Sequence, residues 1–306
     1  MHLGINGTGL VQRASVDAIV EHAQQAANDG FAHYWLAEHP TGGLDALTVL
    51  TAVGLKVPGI ELGTAIIPTF PRHPMVLAGQ AQTVRTVIGN RLTLGIGLSH
   101  ASMMAQLGIG FDKPIRHLRE YLSILVPLLN KGQVSFKGET LSCDAKAFLT
   151  PADHFPVVVA ALGPQALAVA GRLADGTTLA WVGPRTVKEH IVPRISEAAA
   201  TAGRPAPRII ATLPVCVTAN EQDVRQRISQ TLAMYSQLPS YKAMFEREGV
   251  ATPGDLAIVG SEAKVTESIG QMAEAGVTDF AASEFTTNSQ ERERTRALLK
   301  QMAAHS

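Results

Sequence analysis

The sequence predicts a parallel (β/α)₈ barrel, the TIM-barrel architecture, because short apolar runs alternate with longer helical patterns eight times. Over 306 residues one unit averages about 38 residues, which suits a barrel that carries some insertions. Runs such as PVVVAAL and LTLGIGL are continuously apolar, as in strands that are buried on both faces. The rival is an open doubly wound sheet, but no clear helix directly follows the glycines of INGTGL after the first strand. We therefore treat residues 1–306 as a single barrel domain.

The first four units follow one another closely. HLGI leads to a helix with Ser15 as the predicted N-cap and Gly30 as its end. AHYWLA precedes a helix over roughly 44–55, and ELGTAII precedes one from Pro74 to Ile88. RLTLGIGL then leads to helical sequence at roughly 113–129.

The last four units resume after an interruption. PVVVAAL precedes a helix from Pro164 to Leu173, and TTLAWV precedes one that Thr186 and Glu189 would open as a capping box. RIIATLPVCVT leads to a helix from Glu221, and DFAASEF to a last, charge-rich helix at roughly 291–304.

Two segments are predicted insertions between the repeating βα units. Residues 132–141, GQVSFKGETL, alternate polar and apolar side chains around Lys137-Gly138, which predicts a β-hairpin insertion. Residues 236–260 predict a helical insertion before strand 8. We expect both insertions to lie over the end of the barrel where loops are long, where they can cover a site.

Composition excludes several classes of partner. Lys plus Arg number 26 and Asp plus Glu also 26, so no net charge attracts nucleic acid or an anionic membrane. Cys143 and Cys216 are far apart, which predicts neither a disulfide framework nor a thiolate metal site and favours a reducing cytoplasm. The start MHLGINGTGL lacks the features of a signal peptide, and no apolar run approaches the ~20 residues that span a bilayer. We expect a soluble cytoplasmic protein with a small-molecule substrate.

The sequence also lacks several catalytic motifs. No metal-ligand spacing, G-x-S-x-G nucleophile or Walker loop occurs. We therefore expect no metal site, and hydrolysis by serine and nucleoside triphosphate chemistry are disfavoured.

Ionisable residues follow the predicted strand ends, where a barrel builds its site. In LAEHP, Glu38 and His39 follow strand 2, and Arg72 follows strand 3. His39 has an ordinary pKa near ~6.5 that suits proton transfer, although a histidine that only caps its own loop fits the same position. Because neighbouring strand residues point in opposite directions, we expect Glu38 to pair with Arg72 at the rim instead of sharing a role with His39.

Residues 161–171, ALGPQALAVAG, form a candidate anion site. Gly163 and Pro164 at a helix start leave the first backbone N–H groups open, and these can hold a phosphate with the help of the helix dipole. An ordinary tight turn between strand and helix explains the same residues.

Three stretches resemble the bacterial luciferase-like superfamily: residues 62–100, 160–177 and 277–285. Within it they are most similar to oxidoreductases dependent on coenzyme F420, a deazaflavin, the branch that includes methylenetetrahydromethanopterin reductase. The resemblance implies a barrel whose flat cofactor lies at the C-terminal mouth. It also implies a homodimer formed through the helices near strands 2 to 4.

The resemblance implies roles for particular residues. The cofactor's phosphate end would lie at the loop and helix start after strand 5, that is at Gly163, Pro164 and Gln165, and Ala161 at the end of that strand would also bind the cofactor. A non-proline cis peptide would contact the cofactor at Ala65 and Ile66. His39 matches the family's strand-2 histidine near the reactive centre, and Ser99 and His100 follow strand 4. We expect His39 and Ser99 to contact the cofactor and His39 or His100 to handle the proton.

On this basis we expect hydride transfer between F420 and a carbon of a small organic substrate, in either direction. The alternatives are an FMN-dependent luciferase-like monooxygenase and a flavin-binding protein without turnover. Relatives that oxidise sugar phosphates carry a glutamate after strand 4, whereas SHASMMAQLG has no carboxylate before Asp112. This departure argues against glucose 6-phosphate as the substrate.

Overall fold

The computed structural model describes residues 1–11, 14–147 and 153–305 of the chain. Its strands are β1 (His2–Asn6), β2 (His33–Leu36), β3 (Glu61–Thr64), β4 (Ile67–Pro68), β5 (Leu92–Gly97), β6 (Gln133–Lys137), β7 (Ser142–Lys146), β8 (Val157–Val159), β9 (Gly176–Ala180), β10 (Arg208–Thr212), β11 (Pro214–Val217), β12 (Ile258–Gly260) and β13 (Asp279–Glu284).

Eight of these strands form a closed parallel barrel in the order β1-β2-β3-β5-β8-β9-β10-β13. The ring closes where β13 pairs with β1, with Leu3 opposite Phe280 and Ile5 opposite Ala282. The short strand β4 pairs with β5, and β11 pairs with both β12 and β13. Each of the eight apolar runs overlaps one barrel strand, so the predicted (β/α)₈ barrel is confirmed.

Helices surround the ring. They are α1 (Val16–Asn28), α2 (Ala46–Lys56), α3 (Pro74–Ile88), α4 (Ala101–Gln106), α5 (Pro114–Lys131), α6 (Pro164–Leu173), α7 (Pro184–Thr186), α8 (Val192–Thr201), α9 (Glu221–Thr231), α10 (Pro239–Glu248), α11 (Pro253–Leu256), α12 (Glu262–Glu274) and α13 (Ser289–Ala303). A π-helical segment over 187–191 joins α7 to α8. Within the described ranges, no helix is long and apolar enough to cross a membrane.

The predicted capping box at Thr186 and Glu189 is wrong. Gly183 is the N-cap of α7, and Thr186 lies inside the helix. The carboxylate of Glu248 accepts hydrogen bonds from the N–H groups of Arg185 at 3.2 Å and Thr186 at 2.8 Å. Glu189 instead accepts from Arg185 Nε at 3.3 Å. A carboxylate from α10 therefore stabilises the helix start that a local side chain was expected to cap.

The hairpin of β6 and β7 packs along α5, on the outside of the barrel. Its second strand, Ser142–Lys146, lies wholly beyond residue 141, so the hairpin is longer than the segment from which it was predicted. The carboxylate of Glu120 on α5 accepts from the backbone N–H groups of Glu139, Thr140 and Leu141 at 2.7–3.0 Å. This buried carboxylate ties the hairpin turn to the helix layer.

The interior of the barrel is filled by a small cluster. Trp35, Val158, Ile210 and Ala281 are each at most 1% exposed and pack together. Gly63 makes room for the indole, because a Cβ at that position would lie 2.2 Å from the Trp35 ring. Since the centre of the barrel is packed, the free surface available for chemistry lies at its mouth.

Candidate active site

The predicted site residues follow strands that are neighbours in the barrel. His39 comes after β2, Ala65 and Ile66 after β3, His100 after β5 and Gly163 after β8. The pairing order β2-β3-β5-β8 places these strand ends side by side. One half of the rim therefore carries every residue that the sequence singled out.

His39 and His100 are half-buried imidazoles at this rim. Neither ring makes a hydrogen bond to another residue in the described part of the chain. Burial lowers the pKa of both histidines below the ordinary value, which favours the neutral imidazole at neutral pH. A neutral imidazole without a partner can accept a proton from a bound molecule.

Arg72 binds two carboxylates beside His39. Its Nη1 lies 2.5 Å from Glu38 Oε1 and its Nη2 lies 2.6 Å from Asp45 Oδ2. Burial raises the pKa of Glu38, and the guanidinium opposes this shift. The predicted pair of Glu38 and Arg72 is confirmed, and both carboxylates hold the guanidinium of Arg72 at the rim. The neighbouring His73 is also structural, since its Nδ1 accepts from Met75 N–H at 3.2 Å and caps α3.

The peptide bond between Ala65 and Ile66 is cis. The carbonyl of Ile66 accepts from the N–H of Glu38 at 3.0 Å, which links the ends of strands 2 and 3. Gly97 packs closely against this bulge, because a Cβ there would lie 3.0 Å from Ile66 Cγ1. The ends of β3 and β5 thus form a close-packed floor with no space for a larger side chain at 97.

The start of α6 is open. Gly163 is the N-cap without a side-chain hydrogen bond, and Pro164 occupies the first turn. Gly163 and Gln165 are exposed, whereas Ala161 is 1% exposed. Nε2 of His190 lies 2.7 Å from the carbonyl oxygen of Leu162, which holds the loop in place. Free N–H groups at a positive helix end suit a phosphate.

The structure adds aromatic residues that sequence reasoning missed. Trp181 directly follows β9, Tyr235 lies in a short 3₁₀ helix over 233–237 that leads into the helical insertion, and Tyr241 lies on α10 within the insertion. Ring centroids are 5.0 Å apart for Trp181 and Tyr235, 5.3 Å for Tyr235 and Tyr241, and 5.7 Å for Tyr241 and His100. The insertion therefore lies at the mouth. The sequence did offer a signal for this aromatic cluster, namely two tyrosines six positions apart in the segment that follows strand 7.

Asn6 is a second residue that was missed. It is 8% exposed at the end of β1, and its Nδ2 donates to Thr212 Oγ1 of β10 at 3.2 Å. The bond joins strands 1 and 7 at the mouth, and a polar residue ending an apolar strand was the available signal. Among the described residues, no group of three or more His, Cys, Asp or Glu side chains is arranged to hold a metal ion.

Comparison with known proteins places this geometry in a family. The sequence model of the luciferase-like monooxygenases matches residues 1–279. The chain is 23% identical to the 5,10-methylenetetrahydromethanopterin reductase of Methanolobus tindarius over 281 residues, covering 92% of this chain and 85% of that protein. It is 30% identical to the F420-dependent glucose-6-phosphate dehydrogenase of Nakamurella multipartita over 165 residues, covering 52% and 49% of the two chains.

A solved structure shares the whole fold. The coenzyme F420 dependent tetrahydromethanopterin reductase of Methanopyrus kandleri superposes with a TM-score of 0.83 at 20% identity, covering 99% of this chain and 98% of that one. The chain therefore belongs to the luciferase-like monooxygenase family and is an oxidoreductase.

Proposed function

We propose that this oxidoreductase uses coenzyme F420 and transfers a hydride between the deazaflavin and a small organic substrate. One observation carries the proposal: the start of α6 at Gly163, which has no side-chain cap, lies on the same rim as the imidazoles of His39 and His100, which make no hydrogen bond within the described residues. F420-dependent enzymes among the relatives point to the same cofactor.

The residues at the mouth fit such a cofactor. The open start of α6, at Gly163, Pro164 and Gln165 with buried Ala161 beside it, would hold the phosphate. Ala65 and Ile66, at the end of strand 3 where Ile66 packs against Gly97, would support the flat ring. When bound, the coenzyme supplies the carbon that gives or takes the hydride.

The chain itself would manage the proton and exclude water. In the oxidative direction, neutral His39 or His100 accepts the proton of a substrate hydroxyl. In the reductive direction, the protonated imidazole returns it. Ser99 holds the loop after β5, where its Oγ lies 3.6 Å from the sulfur of Met103.

We do not propose a sugar phosphate as the substrate. Residues 99–111 contain no carboxylate, and Asp112 is exposed. Arg72 cannot receive the phosphate either, because Glu38 and Asp45 bind its guanidinium.

Titration with F420 and, separately, with FMN tests the cofactor. We expect F420 to bind with micromolar or tighter affinity and FMN to bind more weakly, followed by fluorescence. The reverse preference, with oxygen uptake in the presence of reduced flavin, would favour an FMN-dependent monooxygenase. Binding of either cofactor without substrate-dependent oxidation would favour a flavin-binding protein without turnover.

Substitution of His39 tests the catalytic role. His39→Ala should leave F420 affinity within several-fold and slow turnover by ~10²-fold or more, because only the proton transfer is lost. Turnover at the wild-type rate would exclude this role for His39. His305→Ala, at an exposed position after the last helix, is the matched control and should change neither quantity.

We also propose a cytoplasmic homodimer. Leu55 on α2 and Val76 and Val87 on α3 are exposed by 68%, 55% and 43% and can pack between subunits. Both cysteines, Cys143 and Cys216, are free thiols, which are compatible with a reducing compartment. Light scattering at micromolar concentration should give the dimer mass, and a monomer mass would refute the dimer.

A further inference from the structure

Four rings form a continuous row at the barrel mouth. We call it the aromatic row, and it consists of His100, Tyr241, Tyr235 and Trp181, with neighbouring centroids 5.0–5.7 Å apart. His100 follows β5 and Trp181 follows β9, which are the two barrel neighbours of β8. The row therefore spans the rim on both sides of the strand whose end leads to the open start of α6.

The backbone sets both ends of the aromatic row. Trp181 has φ 59° and Ser99, directly before His100, has φ 62°. Non-glycine residues are uncommon in this left-handed region, and a bulky side chain there is an outlier. Such residues persist where the surroundings hold them and are concentrated at ligand sites. Of the three non-glycine residues with positive φ in the described ranges, one is the last member of this row and another directly precedes its first member.

The polar atoms of the four rings are available for hydrogen bonds to a ligand. Within the described residues, no hydrogen bond engages the indole N–H of Trp181, the hydroxyls of Tyr235 and Tyr241, or the ring nitrogens of His100. None of these atoms is among the fully buried, unpartnered ones, and all four residues are partly exposed. Partly buried rings with free donors can stack on a flat molecule and hydrogen-bond its substituents.

The aromatic row is uncharged at neutral pH. Burial raises the pKa of Tyr235 and Tyr241, so both stay neutral phenols that donate. Burial lowers the pKa of His100, so the imidazole is neutral as well. The nearby carboxylate of Glu248 is bound to the first N–H groups of α7. A charged group placed against these four rings would lose hydration without gaining a charged partner among them.

We propose that the aromatic row is the substrate subsite and that it selects a flat, uncharged ring bearing a hydroxyl or carbonyl group. The row provides stacking faces and neutral donors, and the two left-handed residues hold its ends in position. This inference rests on the proposed function only for the identification of the bound ring as the substrate.

Calorimetric titration of the F420-saturated protein tests the subsite with two neutral probes. 2-Naphthol and decahydro-2-naphthol share a carbon skeleton and a hydroxyl group, but only the first has a flat aromatic face. We expect 2-naphthol to bind at least ~10-fold more tightly. Equal affinities would overturn the proposal. Saturation with cofactor prevents 2-naphthol from occupying the cofactor's place.

Substitutions locate the binding. Trp181→Asn, which tolerates the left-handed backbone, and Tyr235→Ala should each weaken 2-naphthol binding by ~10-fold or more. Trp181→Phe keeps a ring and should stay within about threefold. Met234→Ala, at the exposed position directly before Tyr235, is the matched control and should leave binding unchanged. Wild-type affinity in both Trp181→Asn and Tyr235→Ala would overturn the proposal.

Two further measurements separate this inference from a structural role and from the cofactor proposal. F420 affinity and the thermal unfolding midpoint should not change in Tyr235→Ala, and in turnover its KM should rise more than its kcat falls. If F420 fails to bind, the proposed function fails. The same titrations on the cofactor-free protein then still decide whether the aromatic row binds a flat ring.

Discussion

Acid should destabilise the protein through His33, a histidine at the start of strand 2 inside the barrel. It is 0% exposed, and burial lowers its pKa from 6.5 to about 4. Its Nδ1 accepts the indole N–H of Trp35 at 2.7 Å, so the proton of the neutral ring resides on Nε2. Nε2 lies 3.7 Å from a carboxylate oxygen of Asp279, and Arg208 neutralises that carboxylate from 2.7 Å.

The sign of the effect follows from proton uptake. The unfolded chain protonates His33 below a pKa of 6.5, whereas the folded protein resists protonation down to about 4. Between these values the unfolded state binds more protons, so stability is full above pH 6.5 and falls as the pH decreases. The two pKa values give a loss of about 2 kcal/mol between pH 7 and pH 5 from His33 alone.

Urea unfolding at both pH values, followed by circular dichroism, measures the free energy of unfolding. His33→Asn keeps an acceptor for the Trp35 indole but cannot titrate in this range, so its loss between pH 7 and 5 should be smaller than that of the wild type by about 2 kcal/mol. Gly79→Ala, at an exposed helical position with nothing within 4 Å, is the control and should retain the wild-type dependence on pH. An equal loss in His33→Asn and the wild type would refute the reasoning.

Three further predictions concern stability. Arg72→Ala should lower the free energy of unfolding by about 3 kcal/mol, because two half-buried carboxylates lose their shared cation; an unchanged urea midpoint would contradict this. Gly63→Ala should cost about 2 kcal/mol or more, since the new Cβ would lie 2.2 Å from the Trp35 ring. Gly79→Ala, at an exposed helical position with nothing within 4 Å, should instead stabilise by about 0.5–1 kcal/mol; losses of the same size in the two glycine variants would contradict the packing. Glu120→Ala should speed amide exchange in residues 139–141 by about 10-fold or more, because their N–H groups lose a carboxylate acceptor; unchanged exchange by mass spectrometry would rule out this anchor.

Elements with a strong local pattern were predictable. The helices from Pro74 to Ile88 and from Pro164 to Leu173 have the predicted bounds, because a proline at the first position and a regular apolar period are local signals. Ser15 caps α1 as predicted, with its Oγ accepting from Ala18 N–H at 3.2 Å. The pair of Glu38 and Arg72 followed from strand alternation and the shared rim of a barrel.

Contacts between distant segments could not be read from such patterns. Glu248 caps the helix at Thr186 across 62 positions, and a local capping box was predicted in its place. Asn6 and Thr212 join strands 1 and 7 across 206 positions, and no local pattern indicates that these two residues meet. These bonds depend on the path of the whole chain.

The order of apolar runs and helical periods specified the eight-unit barrel and the rim on which His39, His100 and Gly163 lie. Periodicity reports burial, and the direction of a parallel strand then decides which of its ends carries the site. The aromatic row, in contrast, could be identified only in the tertiary structure. Tyr235 and Tyr241 lie in a segment after strand 7 with no repeating pattern, and only the path of that segment brings them against Trp181 and His100. Side-chain contacts across such distances depend on three-dimensional packing, which local periodicity does not encode.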